Sequence, residues 1–217
     1  VHWEYIPFPI SYLTRSENLF HFALYIKYEN NKFILYRGKN IHISKNEITR
    51  LYNNNVRLLY VHKEDKKLYV NYLETISQGI LSDTELPPLD KVFFLHFLAT
   101  DIMESIPQSP NIDHEITRTK HFISCCDHIL KQTPSLSGQF FRIRTTLDFT
   151  TLKSIHAAII GLLAWETLTN LSTVEHHDLG IACFLMDIGK FKIPSTLLNK
   201  KGPLTEKDWK EIRKHPI

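Results

Sequence analysis

Glycine is scarce in this chain, 7 among 217 residues, and nowhere does it form a Gly-rich loop of the kind that cradles a phosphate. That argues against nucleotide binding on backbone N–H groups. There are three cysteines, two adjacent at Cys125-Cys126 and one at Cys183. They make neither a disulfide framework nor a metal-spaced motif, and they fit a reducing compartment. No five lysines or arginines run together and the formal net charge is only +3, so nucleic acid is not an expected partner. The longest apolar stretch, residues 157–165, falls well short of the roughly 20 residues that span a bilayer, so no membrane span is expected. No leader segment is visible from Val1 onward, and the cytoplasm is the expected compartment.

What remains is ordinary for a soluble, helix-rich globular protein, with room for one domain and a smaller one. Aromatic and β-branched residues cluster at Phe22–Tyr28 and Phe33–Tyr36 around the polar Glu29-Asn30-Asn31-Lys32, which predicts a β-hairpin. Gly38 ends the second strand. Ser44 with Glu47 predicts a capping box opening a short helix through Ile48, Leu51 and Tyr52, which Asn53-Asn54-Asn55 stops. A third strand is expected at Arg57–Val61, then a helix from about Lys63 carrying Leu68, Tyr72, Leu73, Ile76 and Ile80. Residues 1–86 thus read as a small α+β sensory or interaction domain, with a hinge at Ser82-Asp83-Thr84-Glu85 and Pro87-Pro88. Its histidines, His2, His21, His42 and His62, are scattered and lack the spacing of a catalytic site.

From Leu89 the pattern is all-α, with helices expected at 92–106, 112–130, 150–171, 173–188 and 206–214. Residues 87–144 read as linker helices and 145–217 as the N-terminal part of a helical domain. Ser172 with Glu175 and Thr205 with Asp208 mark two helix starts, and Pro216 closes the last helix. The helix holding Val92, Phe93, Phe94, Leu95, Phe97 and Leu98 has more apolar surface than one stripe requires. Self-association and cover from within the chain both remain open readings.

One stretch sets a charged pair at the end of an apolar helix: Phe184-Leu185-Met186-Asp187-Ile188-Gly189-Lys190. Burying either charge unpaired would cost several kcal/mol, so the pair marks a site or the remains of one. The connection that follows, to Leu204, is too long for a bundle turn and carries Lys190, Lys192, Lys200 and Lys201. It could meet a phosphate-bearing ligand or be a solvated lysine-rich loop.

Met186-Asp187-Ile188-Gly189-Lys190, Ile193-Pro194, Gly202-Pro203-Leu204-Thr205, Trp209 and His215-Pro216 follow in an order that resembles an HD-GYP domain over about residues 145–217. The resemblance implies an HD-type helical fold holding two or three ions, iron or manganese, and hydrolysis of the second messenger cyclic di-GMP. Residue by residue it is incomplete. The family's His-Asp pair falls on Met186-Asp187, and its first metal-binding histidine falls on Lys153 in Thr150-Thr151-Leu152-Lys153-Ser154. A glutamate that some members place one turn earlier falls on Phe149. Thioether sulfur suits iron or manganese poorly and an ammonium repels them. Asp187, Lys190 and His215 are retained.

The expectation is therefore a catalytically inactive HD-GYP-like regulatory protein, with no cofactor, acting on a protein partner or through self-association. Lys153 is expected to salt-bridge Asp187, so that Lys153→Met would cost about 3 to 5 kcal/mol. His156 is weighed as a displaced ligand against an exposed helix position. His176 and His177 are set aside because His177 lies ten residues, about 15 Å along a helix, from Asp187. Two alternatives stand beside this reading. One is a non-hydrolysing cyclic-dinucleotide receptor using Lys190, Lys192, Lys200 and Lys201. The other is a metal-dependent phosphodiesterase completed by residues beyond 217.

Overall fold

The computed structural model describes residues 4–15, 19–28, 32–142, 149–168 and 172–216. The chain forms two compact units, Val1–Phe94 and Leu95–Ile217. The expected boundary at 144/145 lies outside the described residues, as do the hairpin turn residues 29–31.

The first unit is built on a four-stranded antiparallel sheet in the order β1-β4-β2-β3. The strands are β1 (Tyr5–Pro9), β2 (Leu24–Lys27), β3 (Phe33–Arg37) and β4 (Leu58–His62). The predicted hairpin is β2–β3 and the predicted third strand is β4. The sequence pattern does not reveal β1, because Pro7 and Pro9 punctuate it. Proline removes a ladder donor and is confined to sheet edges, and β1 is an edge strand. Its intervening residues Ile6 and Phe8 pair with Val61 and Leu59, and all four turn to the buried side.

Helices α1 (Lys45–Asn53) and α2 (Lys66–Ser82) complete this unit. The Ser44/Glu47 capping box forms as expected. Phe8, Phe20, Phe22 and Tyr69 are fully buried and meet one another with ring centroids 5.5 to 6.0 Å apart. Tyr69 carries its hydroxyl into this core by donating to the Pro7 carbonyl at 3.1 Å, so the ring is buried without an orphaned donor. At the expected hinge, the Asp83 carboxylate accepts from the N–H groups of Glu85 and Leu86, forming an Asx turn.

The next helix, α3 (Pro88–Ser105), contains the division between the units. Val92, Phe94, Leu95 and Leu98 are buried, while Phe93 is exposed, so most of the apolar surplus read from the sequence is covered. The second unit continues with α4 (Ile112–Gln132), α5 (Ser137–Arg142), α6 (Phe149–Leu168), α7 (Thr173–Leu185), α8 (Ser195–Leu198) and α9 (Glu206–Ile212).

Helices α4, α6 and α7 share one core around Phe122, Ile123, Cys126, Ile155, Ile159, Leu162 and Phe184. Small residues set the spacing. A Cβ on Gly180 would lie 2.8 Å from Ile123 Cγ2, and one on Gly161 would lie 2.9 Å from Cys183 Sγ. Glycine at these two positions therefore lets α7 approach both neighbours closely enough for Phe184 to reach Phe122, at 4.8 Å between centroids. That close packing fixes both ends of α7, where the polar groups lie.

Candidate functional site

Asp187 lies where α7 ends. Met186 still has helical backbone angles, and Asp187 leaves them (φ −109°, ψ 10°) to start a 3-10 turn over Ile188–Lys192. The turn closes as the Lys190 N–H donates to the Asp187 carbonyl at 2.9 Å and Ile193 donates to the Lys190 carbonyl at 3.0 Å. Buried Ile193 anchors it.

This tight turn brings the Lys190 ammonium back onto Asp187, Nζ to Oδ2 2.6 Å. Lys153, from α6, approaches the same oxygen at 3.6 Å from a half-exposed arm. His215 Nε2 lies 3.2 Å from Oδ1. The other ring nitrogen of His215, Nδ1, is 2.8 Å from the Ile212 carbonyl, so we assign a proton to Nδ1, which points Nε2 at the carboxylate. Burial alone would raise the Asp187 pKa. The Lys190 hydrogen bond and charge, followed by the charges of Lys153 and His215, outweigh burial and hold it below the ordinary 3.8.

The expected Lys153–Asp187 salt bridge is present at 3.6 Å, and Lys190 is a second and closer partner of the same oxygen. One expectation changes at this site. His156 is not an exposed position: it is half-buried, its Nε2 lies 3.2 Å from the Phe140 carbonyl, and its ring tilts against Phe141 at 4.8 Å. The four loop lysines do not form one cluster of unengaged cations, because Lys190 pairs with Asp187 and Lys200 with Asp208, while Lys192 and Lys201 are exposed. The loop itself is ordered by the Ile188–Lys192 turn, α8 and the Thr205/Asp208 capping box. Met186 is 48% exposed, and the side chain of Phe149, which opens α6, lies outside the described residues.

These residues do not fit the metal centre that the resemblance implies. Such a centre needs several lone-pair donors converging on the ions, whereas here one carboxylate and one imidazole face two ammonium groups. Around Gly189 the fit is steric: a Cβ there would lie 1.9 Å from the His215 carbonyl oxygen, so backbone meets backbone. That contact holds His215 in place over Asp187.

A second polar cluster lies at the opposite end of α7, in its first turn after the Ser172/Glu175 capping box. His176 and His177 do not share an ion with Asp187. They meet Asp127 of α4 instead, with His177 Nε2 3.1 Å from Oδ2 and His176 Nδ1 3.7 Å from Oδ1. Asp127 escapes a spacing argument because it lies 50 residues from His177. The hint in the sequence was an acid followed four residues later by Lys131, whose ammonium lies 3.0 Å from Oδ2.

A small antiparallel sheet followed by a helical unit is an arrangement that two comparisons connect with HD-GYP-like proteins, one by partial sequence similarity and one by fold. Over 83 residues, 38% of this chain, the sequence is 31% identical to a cyclic di-GMP phosphodiesterase of Pseudomonas aeruginosa, of which the match covers 20%. A solved HDG"Y"P protein from Bdellovibrio bacteriovorus shares the fold, with a TM-score of 0.57 at 18% identity over 98% of this chain and 69% of that one. No family model matches the chain. Among the described residues, no helix is long and apolar enough to cross a membrane.

Proposed function

We propose that this chain is an HD-GYP-like regulatory protein that keeps the helical scaffold and works by binding a protein partner, without hydrolysing cyclic di-GMP at Asp187. The observation that carries this reading is the filling of the Asp187 carboxylate by Lys190, Lys153 and His215. Metal-assisted hydrolysis requires bound ions to bring water from a pKa of about 15.7 toward neutrality. Two ammonium groups beside the remaining carboxylate oppose cation binding at that place. The small α+β unit is the proposed sensory or interaction module, and the cytoplasm the proposed compartment.

The relative from Pseudomonas aeruginosa is named for phosphodiesterase activity, and the match spans 20% of it. The test is turnover of cyclic di-GMP by tag-free protein supplied with manganese or iron(II), followed by chromatography, with calorimetry run on the same samples. No linear product or GMP is expected, and no heat of binding. Product that disappears in Asp187→Asn would overturn the proposal in favour of a working phosphodiesterase. Calorimetric binding without product would replace it with a receptor that does not hydrolyse.

A further inference from the structure

The geometry points to a binding site for one divalent transition-metal ion formed by Asp127, His176 and His177, between α4 and the first turn of α7. It rests on different residues from Asp187 and stands independently of the function proposed above. The three residues each offer a ligand atom, and those atoms all lie within 4.8 Å of one another. Successive helical residues point about 100° apart, so two adjacent histidines converge only on a group lying between their directions. Asp127 is that group.

The hydrogen bonding of His176 is what favours a metal over a plain ion pair. The residue is 2% exposed, and its Nε2 lies 3.1 Å from the Leu162 carbonyl, a contact that requires an Nε2–H. A ligating imidazole almost always spends its other N–H in this way, which fixes the tautomer and the ring. Trp165 adds to that by stacking on the ring at 5.7 Å and 15°.

The lone-pair nitrogen of that tautomer, Nδ1, then faces Asp127 Oδ1 at 3.7 Å. A protonated Nδ1 would form a charge-assisted hydrogen bond of about 2.7 to 2.9 Å, so 3.7 Å is long for an imidazolium–carboxylate pair. Ligands about 2.0 to 2.2 Å from a tetrahedral ion lie roughly 3.3 to 3.5 Å apart. The observed 3.1 and 3.7 Å run to the two different oxygens of Asp127, and the three ligand atoms lie within 4.8 Å of one another, so the side chains draw together on binding an ion.

Donor chemistry narrows the ion. Two imidazoles and one carboxylate suit zinc, cobalt or nickel, whereas calcium and magnesium prefer all-oxygen shells. Three protein ligands leave one position for water, and half-buried His177 puts that position within reach of solvent. The Lys131 ammonium, on a half-exposed stem 3.0 Å from Asp127 Oδ2, neutralises the carboxylate and competes with the ion. Displacing it to solvent frees the site.

The experiment is a titration of tag-free, chelator-stripped protein with cobalt(II), read by visible absorption and competed with zinc. One equivalent is expected to bind. His177→Gln and Asp127→Asn should each weaken binding by more than about 100-fold, since each removes a ligand where outer partners alone are worth about 10 to 100-fold. Lys131→Gln should tighten it by up to about 5-fold, the strength of a half-exposed ion pair that the metal no longer has to displace. If Asp127→Asn fails to fold by circular dichroism, His177→Gln, at a half-buried position, carries the test. Failure of the parent chain to bind cobalt, or unchanged binding by His177→Gln, would overturn the proposal and leave the cluster as an ion-paired tie between α4 and α7.

Discussion

At the scale of single residues, the unequal distances around Asp187 decide what each neighbour contributes. Lys190→Met removes a 2.6 Å charge-assisted hydrogen bond and should cost about 1 to 2 kcal/mol in urea unfolding. Lys153→Met removes a 3.6 Å contact from a half-exposed side chain and should cost less than about 1 kcal/mol. The sequence named all of these residues and set Asp187 and Lys190 together as a charged pair, but the distances that make Lys190 the closer partner depend on the 3-10 turn after α7. His96 supplies a pH prediction of its own. Burial, with the nearby His156 charge adding to it, lowers its pKa from 6.5 to about 4, against a smaller opposing effect of the Phe140 carbonyl. Between those values the unfolded chain holds the proton and the folded chain does not, so acid favours unfolding. Stability should fall as the pH drops from about 6.5 to 4, by about 3 kcal/mol in all, and His96→Leu should flatten that part of a pH series of denaturant midpoints.

At the scale of elements, helix contacts depend on what is missing from glycine. Gly180→Ala gains helix propensity worth about 1 kcal/mol but drives a methyl to 2.8 Å from Ile123 Cγ2 and 3.1 Å from Leu162 Cδ2. Overpacking should win, with a net loss of about 1 to 2 kcal/mol in chemical unfolding. The helices and their starts were legible because capping boxes at Ser44, Ser172 and Thr205 are local, within four residues. Strand β1 was not legible, since its edge position, which makes Pro7 and Pro9 tolerable, exists only once the sheet is assembled. The same holds for the pairing of α4 with α7 through Asp127, which no periodicity announces.

At the scale of the whole molecule, the three cysteines probe how well the core is closed. Burial pushes the Cys125 thiol up to about 12, and burial chiefly also raises Cys126 and Cys183. Thiolate is the reactive form, so native protein should label slowly with iodoacetamide, with half-buried Cys183 first, and all three thiols should label in denaturant, as mass spectrometry would count. The approach of Gly189 to the His215 carbonyl has a consequence for mutational tolerance. The contact is made by the backbone of His215, so in a library selected only for folding, position 189 should remain glycine while position 215 varies more widely, each change there removing one of the three partners of Asp187. Selection for the charge arrangement around Asp187 would hold both, and comparing the two libraries would separate residues that shape the chain from residues that set its charge.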